Sequence, residues 1–274
     1  MEIVKSTLHI GAKEPFTFLH ISDIHLAESD QNDSQKRRDF TAKRKEYFSF
    51  APEAFAFAKE YVKKTGYLLV NTGDMLDFIT PENIRLTKEF VDETIMMMAA
   101  GNHEYWRCHN DRFHFDDVYE TYAAKDTSLA LISEAIGIDI CFSCKEINGV
   151  NLVCIDDSGY SISAETFEKL KAVEAQGKPI LLFMHIPLYS DYLGNSAKFS
   201  LNAPAQYFEN CHPVDVWERS ADELTVKICD YIRNAPLIKC VISGHIHYNV
   251  EILGKDAQDQ VITGINTIRE ITVI

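Results

Sequence analysis

Five short apolar runs in this chain each end in a cluster of polar side chains, and this repetition constrains the fold more than any other feature. The runs cover residues 16–21, 67–71, 95–99, 180–184 and 240–243 and read as buried strands. The clusters that follow them are Asp23-Ile24-His25, Gly73-Asp74, Gly101-Asn102-His103-Glu104, His185 and Gly244-His245-Ile246-His247. In an open α/β sheet, ligands collect beyond the carboxyl ends of the strands, so we expect the five clusters to meet there.

The residue types in these clusters point to a two-metal site. Carboxylates, imidazoles and one amide are suitable ligands for a pair of divalent cations. Asp23 and His25 lie two residues apart on a segment predicted to be extended, which would point both side chains the same way. His245 and His247 repeat that spacing, and the glycine before Asp74 leaves room for the backbone to turn. Two cations about 3.5–4 Å apart generate a hydroxide at neutral pH and hold the attacking and leaving oxygens of a phosphate ester.

Length and composition favour one α/β domain that spans residues 1–274. Hydrophobic residues make up 46% of the chain, which is enough for a substantial core. We see no signal peptide, and no apolar run approaches the ~20 residues of a membrane helix, so we expect a cytoplasmic protein without membrane contact. The seven cysteines are an odd count, which favours buried, reduced thiols.

The net charge of −14 argues against a broad nucleic-acid-binding surface, because such a surface is basic and releases counterions on binding. One basic cluster exists, formed by Lys36-Arg37-Arg38 and Lys43-Arg44-Lys45. Charge runs are usually solvated faces, and we interpret this cluster as one.

Helices are predicted from their capping residues. One spans residues 52–64 with Gly66 as its stop, a second starts near Thr80, and a third runs over residues 163–176. A fourth opens with the capping box Ser220-Ala221-Asp222-Glu223 and should bury Leu224, Ile228, Tyr231 and Ile232. Asn148-Gly149 predicts a β-hairpin, and residues 248–274 read as further strands. This order predicts a mixed sheet system with helices outside it.

The five clusters, in this order, resemble the motifs of the calcineurin-like metallophosphoesterase superfamily. The match reads D-x-H, G-D, G-N-H-E, a lone His and G-H-x-H, and it extends from Asp23 to His247. Each motif is weak alone, but all five in order after predicted strands are specific. The resemblance implies an α/β four-layer sandwich of two mixed β-sheets flanked by helices.

The resemblance also implies a role for each motif residue. It assigns one metal to Asp23, His25, Asp74 and His247, and the other to Asp74, Asn102, His185 and His245, with Asp74 as the bridge. His103 would face the leaving-group oxygen as a general acid, and Glu104 would support the same motif. Asp77 is a candidate partner that orients His103. The implied reaction is hydrolysis of a phosphate ester by a metal-bridging hydroxide. The ligand types suit Mn, Fe, Zn or Ni and do not decide among them.

Departures from two branches of the superfamily narrow the expected substrate. Three residues after Asp74, purple acid phosphatases are expected to carry a tyrosine, but this chain has Asp77. The run Gly73-Asp74-Met75-Leu76-Asp77-Phe78-Ile79 also lacks the arginine expected in protein serine/threonine phosphatases. What remains is similar to small-molecule phosphodiesterases and phosphatases.

Three alternatives remain open at this stage. The first is a nuclease of the same superfamily, which the acidic composition disfavours. The second is a non-catalytic scaffold on this fold, which would be expected to have lost ligands. The third is a two-metal hydrolase of another class, such as an amidase.

The sequence gives weaker predictions about the roles of several further residues. His9 and His20 are interpreted as structural, whereas Tyr105 and Trp106 either stack on a substrate ring or pack in the core. Residues 188–219 have no clear period, and we predict that they cover the cleft and set substrate choice. Three more histidines are weak candidates for lining the cleft: His109, His114 and His212.

Overall fold

The computed structural model describes residues 1–106, 125–208, 221–255 and 258–274. The strands in chain order are β1 (Glu2–Leu8), β2 (Phe16–Ile21), β3 (Leu69–Asn71), β4 (Met96–Met98), β5 (Phe142–Ile147), β6 (Val150–Ile155), β7 (Ile180–Phe183), β8 (Ile238–Ser243), β9 (Val250–Ile252), β10 (Gln260–Ile262) and β11 (Thr267–Val273). The α-helices are α1 (Gln35–Tyr47), α2 (Ala51–Thr65), α3 (Pro81–Glu93), α4 (Lys125–Ile136), α5 (Ala164–Glu174) and α6 (Glu223–Asn234). Two 3₁₀ segments cover Asp191–Phe199 and Ala205–Phe208.

The strands form two mixed sheets. The first has the order β1-β11-β2-β3-β4 and the second the order β5-β6-β7-β8-β10-β9. In the first sheet β2, β3 and β4 are parallel, and in the second β6, β7, β8 and β10 are parallel. Parallel strands end at the same edge of a sheet, so the loops that follow β2, β3, β4, β7 and β8 can approach one another.

Three buried clusters define four layers. Between the sheets, apolar side chains of the first sheet such as Phe18 pack against those of the second such as Phe183, whose ring centroid lies 5.5 Å away. Alternate residues of the first sheet, such as Leu19, face α2, α3 and α4. Alternate residues of the second sheet, such as Leu182, face α5 and α6. The predicted four-layer α/β sandwich is therefore confirmed.

Most predicted elements occur within a few residues of their expected bounds. Thr80 and Ser163 cap α3 and α5 through their side chains, and Gly66 ends α2 in a left-handed conformation with φ 67°. The hairpin between β5 and β6 turns at Asn148 and Gly149, where φ is 47° and 84°. Two positive φ angles in a two-residue loop are what a type I′ turn requires.

The prediction for α6 was wrong in two respects. Its N-cap is Asp222, which accepts a hydrogen bond from the Thr225 amide, whereas Ser220 lies outside the described residues. Leu224 is 40% exposed rather than buried, and Tyr231 is only partly buried. The buried stripe consists of Thr225, Ile228, Cys229 and Ile232. Thr225 and Cys229 belong to this stripe although they are less apolar than leucine or isoleucine, so the pattern of strongly apolar residues does not predict their burial.

The cysteines only partly match the expectation of buried thiols. The five in the described residues are free, and Cys154, Cys229 and Cys240 are buried. Cys144 is exposed and Cys141 is half-buried, because they lie at the outer edge of the second sheet on or beside β5. In the described ranges of the chain, none of the helices has both the length and the apolar character needed to cross a bilayer.

We predict that Phe183→Ala lowers the free energy of unfolding by about 3–5 kcal/mol, because it leaves a cavity between two packed sheets. Phe183 is fully buried, and its ring meets Phe18 edge to face. Urea denaturation measures the effect, with Phe57→Ala as the control because Phe57 is 37% exposed on α2. Equal losses in the two variants would contradict the inter-sheet core described above.

Candidate metal centre

The structure brings the side chains of all five sequence clusters to one edge of the two sheets. The residues that converge there are Asp23, His25, Asp74, Asp77, Asn102, His103, His185, His245 and His247. Five of these nine residues are buried, four are half-buried, and 35% of the His247 side chain is exposed. The convergence of these residues was predicted from sequence, while their individual roles stay predictions.

The two carboxylate oxygens of Asp23 have different roles: one binds the backbone of another loop, and the other faces the candidate ligands. Its Oδ2 accepts a 2.9 Å hydrogen bond from the backbone amide of His245. Its Oδ1 is buried and has no hydrogen-bond partner within the described part of the chain. This oxygen lies 3.4 Å from His247 Nε2 and 3.9 Å from His25 Nε2. A buried carboxylate oxygen without a partner is costly, and a cation would satisfy it.

Asp74 divides its oxygens in the same manner. Its Oδ1 accepts a 2.9 Å hydrogen bond from the His103 amide. Its Oδ2 lies 3.7 Å from His25 Nε2 on one side and 3.4 Å from His185 Nε2 on the other. One oxygen of Asp74 therefore lies between two groups of candidate ligands.

The first group lies around Asp23 Oδ1. His25 Nε2 and His247 Nε2 approach each other to 3.2 Å. Ligands about 2.1 Å from one cation lie about 3.0–3.4 Å apart in octahedral or tetrahedral geometry. The observed separations match this range or exceed it slightly, so these side chains fit a cation.

The second group lies around His185. Its Nε2 is 3.0 Å from Asn102 Oδ1 and 3.1 Å from His245 Nδ1. These separations also match ligands of one cation. A set of carboxylate oxygens, an amide oxygen and imidazole nitrogens suits borderline divalent metals.

The backbone of the clusters is not extended, contrary to the sequence prediction for Asp23 and His25. β2 ends at Ile21, and Asp23 and His25 have φ of 56° and 54°. The residue between them, Ile24, is buried in the core on the helix side. Alternation of left-handed and ordinary residues therefore brings both polar side chains to the cleft while the apolar one remains in the core.

The same left-handed conformation recurs across the centre. Nine non-glycine residues in the described chain have positive φ, and five of them lie in these clusters. Besides Asp23 and His25, they are Asp74, His245 and His247. Such residues are strained, and they persist where the surrounding structure holds them and where function uses them.

Glycines permit the close approach of the loops. A Cβ added to Gly101 would lie 2.2 Å from Asp74 Oδ1, and one added to Gly244 would lie 1.8 Å from Ser22 Oγ. Both contacts are impossible for real atoms. The clusters can therefore pack against each other only with glycine at these two positions.

Glu104 holds the loop that carries Asp74. Its carboxylate accepts hydrogen bonds of 2.7–3.3 Å from four backbone amides, those of Gly101, Asp74, Met75 and Leu76. Glu104 is fully buried, so no water replaces these contacts. Its supporting position, which the sequence suggested only by resemblance, thus has a clear structural basis.

A sixth loop, which follows β6, also reaches the centre and was missed by the sequence analysis. Asp157 accepts hydrogen bonds from the backbone amides of His185 (2.7 Å) and Ile186 (2.9 Å). The Tyr160 hydroxyl lies 2.6 Å from His245 Nε2. The local signal was present, because the cluster Asp156-Asp157-Ser158-Gly159-Tyr160 follows an apolar run as the other five clusters do.

Asp77 connects two imidazoles to an arginine. Its Oδ1 lies 3.0 Å from His25 Nδ1 and 3.2 Å from His103 Nδ1. Arg44 binds both carboxylate oxygens, with Nε 2.5 Å and Nη2 2.6 Å away. The interpretation of the basic cluster as a solvated face was wrong for Arg44, because this side chain is only 14% exposed. It was wrong because α1 places Arg44 beside the cleft, which the sequence pattern does not reveal.

Of the buried carboxylates at the centre, Asp74 stays ionised, whereas burial raises the pKa of Glu104 and that of Asp157 to about 7. Burial opposes a charge on Asp74, but the positive charges of His185 and His103 hold the pKa of its carboxyl well below the ordinary value. Burial likewise disfavours the charged form of His185, but Asp74 attracts the proton and raises the pKa of this imidazole to about 10. The cleft therefore requires positive charge, which protons or cations can supply.

The remaining candidates separate into packing residues and residues that the structure does not describe. His20 is buried and bonded to Thr263 and Thr72, as expected for a structural histidine. Tyr105 is 2% exposed and bonds to a backbone carbonyl, so it packs rather than stacks on a ligand. Trp106 is half-buried, edge-on to His103 at 4.7 Å. Three predicted cleft histidines lie outside the described residues: His109, His114 and His212.

Comparison with known protein families gives one match. The family described as calcineurin-like phosphoesterase matches residues 16–249, which include all five motif clusters. No match was found among curated proteins.

Solved structures with a similar arrangement include three enzymes. A dimetal phosphatase from Danio rerio is 14% identical, and the match covers 91% of this chain and 87% of that one with a TM-score of 0.48. The phosphopantetheinyl hydrolase of Mycobacterium tuberculosis is 14% identical, with coverage of 91% of this chain and 90% of that one and a TM-score of 0.43. A purple acid phosphatase from yellow lupin seeds is 11% identical, with coverage of 92% of this chain and 44% of that one and a TM-score of 0.49.

We predict that Glu104→Gln lowers the free energy of unfolding by about 3 kcal/mol. The NH₂ that replaces one carboxylate oxygen cannot accept hydrogen bonds, so two of the four buried N–H groups lose their partner. Each loss costs about 1–3 kcal/mol. Chemical denaturation of the metal-free protein measures the change. The matched control is Glu168→Gln, which removes the same charge from a side chain that is 69% exposed. A loss no larger than in the control would contradict the bracing role of Glu104.

Proposed function

Since the chain belongs to the calcineurin-like phosphoesterase family, and is thereby a metal-dependent phosphoesterase with a dinuclear centre, we propose that it hydrolyses a small-molecule phosphodiester or phosphomonoester. The observation that supports this most is the position of Asp74 Oδ2 between His25 and His185, because Asp74 would then belong to both sets of proposed metal ligands. Three overlapping groups of metal-ligand type around Asp23, His25 and Asp74 add to it.

We assign the ligands as follows. One cation would be held by Asp23, His25, Asp74 and His247, and the other by Asp74, Asn102, His185 and His245. The separations within each set and the buried Oδ1 of Asp23 without a partner support this assignment. The N/O character of both sets favours Mn, Fe, Zn or Ni over Mg and Ca.

When bound, the two cations supply Lewis acidity, which generates the attacking oxygen nucleophile from water and offsets the charge that develops on phosphorus oxygens. The chain's own contribution is to fix the ligands. Asp23 and Asp74 each use one oxygen to anchor a neighbouring loop, so the other oxygen has a defined position. Buried carboxylates held in this way lose little freedom when a cation arrives.

His103 is the proposed proton donor to the leaving oxygen. Its Nδ1 contacts the Asp77 carbonyl at 2.5 Å, which fixes the ring and leaves Nε2 as the atom that faces the cleft. Nε2 lies 4.0 Å from Asp74 Oδ2, and the side chain is 14% exposed, so a substrate can reach it. Asp77 orients this ring, and its contact with His25 Nδ1 holds a proposed ligand at the same time.

Residues 188–219 are proposed to cover the cleft and set substrate choice within one domain of residues 1–274. In the described part of this segment, Leu193 and Ala197 pack against Ile246, which lies between His245 and His247. This contact supports a position next to the centre.

The function is tested by adding Mn, Fe, Zn or Ni to metal-free protein and assaying a chromogenic phosphomonoester and a phosphodiester side by side. We expect metal-dependent release of the chromophore from at least one ester and none from a matched amide. Cleavage of DNA in preference to both esters would favour a nuclease, which the net charge of −14 disfavours. Failure of the folded protein to bind any of these metals would disprove the proposal.

We predict that His103→Ala lowers kcat by about 10²–10⁴-fold on an ester with a poor leaving group, because the departing oxygen loses its proton donor. Metal content measured by elemental analysis should stay near that of the wild type. Asp74→Asn should lose both cations, since Asp74 belongs to both sets. A fully active His103→Ala enzyme on such an ester would refute the assigned role.

We predict that Tyr160→Phe weakens the binding of one of the two cations by roughly 10–100-fold, as loss of the partner of a ligating imidazole does. The Tyr160 hydroxyl lies 2.6 Å from His245 Nε2, which leaves Nδ1 to face His185 and the cleft. Competition with a chromophoric chelator measures the affinity. Tyr105→Phe is the matched control, because Tyr105 is buried to a similar degree and its hydroxyl donates a 3.2 Å hydrogen bond to the backbone carbonyl of Ser158, not to an imidazole of the centre. Equal metal affinities in the two variants would exclude this role for Tyr160.

A further inference from the structure

A continuous arc of side chains runs along one side of the centre, from His103 to His247. The His103 ring meets Trp106 edge-on at 4.7 Å, and the Arg44 guanidinium lies 5.5 Å from the Trp106 ring centroid. Arg44 lies the same distance from Tyr47, whose ring meets Phe48 at 4.9 Å. Phe48 closes the arc, 6.1 Å from the His247 ring and stacked on His25 at 4.0 Å.

The members of the arc differ sharply in exposure. Phe48 is 5% exposed and the Arg44 side chain 14%, so both form the inner part of the wall. Tyr47 is 75% exposed although it belongs to the same set of contacts, and Trp106 is half-buried. The arc thus offers aromatic surface to whatever enters the cleft beside His103.

The charge of the arc is already compensated. Arg44 directs Nε and Nη2 to the two oxygens of Asp77, so its positive charge is paired with a buried carboxylate. Its guanidinium is also stacked among three aromatic rings, those of Tyr47, Phe48 and Trp106. A paired guanidinium among rings presents a flat, largely apolar surface and does not provide a free cation for a second anionic group.

From these contacts we propose that Tyr47 and Trp106, held by Arg44, form a subsite for a flat, uncharged ring on the leaving group of the substrate. This rests on the proposed function, because it is the leaving oxygen that His103 would face. The group attached to that oxygen then lies next to Trp106, and Tyr47 lies across the guanidinium from it. The substrate class is a phosphate ester of an aromatic alcohol or of a nucleoside, rather than of an aliphatic alcohol.

The test compares aryl and alkyl esters, using phenyl and n-hexyl phosphate together with methyl phenyl and methyl n-hexyl phosphate. Wild-type, Tyr47→Ala and Tyr47→Phe enzymes are loaded with the same metal, and kcat/KM is measured for each ester by chromatography of the released alcohol. For Tyr47→Ala we expect the aryl-to-alkyl ratio of kcat/KM to fall by about tenfold, the size of one lost stacking contact. Tyr47→Phe keeps the ring and should keep the ratio. Because the different intrinsic reactivities of the aryl and alkyl esters enter the ratio of every enzyme equally, they cancel when the ratio of a variant is compared with that of the wild type.

Competitive inhibition by phenylphosphonate and n-hexylphosphonate, measured against one chromogenic ester, provides a second measurement in which the aryl or alkyl compound itself is not hydrolysed. Tyr47→Ala should weaken only the phenyl compound. Tyr67→Ala is the control, because Tyr67 is 38% exposed just before β3, at the opposite end of the sheet from the centre. An unchanged aryl-to-alkyl ratio in Tyr47→Ala, or an equal change in Tyr67→Ala, would overturn the subsite. A wild-type enzyme that hydrolyses none of the four esters would instead count against the proposed function.

Discussion

The structure depends on buried carboxylates that accept hydrogen bonds from backbone amides and also supply negative charge to the cleft. Asp23 and Asp74 each accept one amide hydrogen bond from another loop and direct the second oxygen inward. Glu104 and Asp157 supply only the first of these contacts, and they hold the turns that carry Asp74 and His185. Charged acceptors are needed because the amides at the ends of these strands have left the sheet and would otherwise be buried without partners. The same charges make the cleft suitable for cations.

Several residues that place these side chains in the cleft have a strained backbone conformation. Left-handed residues at Asp23, His25 and Asp74 cost of order 1–3 kcal/mol each, and an extended chain would avoid that cost. The cost is offset by the apolar residues beside them, since Ile24 and Met75 are fully buried and fix the turns from below. The clusters around Asp23, His25 and Asp74 are therefore short pieces of strained chain between a strand and a buried anchor. This explains why the motif residues alternate with apolar ones in the sequence.

Much of the fold and of the centre could be predicted because the signal is local: an apolar run followed by a polar cluster identifies a strand and its exit. The contact of Arg44 with Asp77 could not be predicted in this way, because it joins two elements 33 residues apart whose relative position no local pattern encodes. Tyr160 could have been found, since its cluster follows the apolar run that became β6. Asp222 shows a further limit: several nearby residues have side chains that can cap a helix, and only packing decides among them.

The placement of β11 has a consequence for the order in which the molecule matures. This strand lies between β1 and β2, parallel to one and antiparallel to the other, so residues 267–273 separate two strands formed by residues 2–21. During synthesis β1 and β2 are therefore made long before β11, the strand that pairs with both of them, and they lack this neighbour until almost all of the described chain has been synthesised. Contacts over such a sequence distance form slowly. The loop after β2, which carries Asp23 and His25, therefore has a complete sheet beneath it only once residues 267–273 have been added.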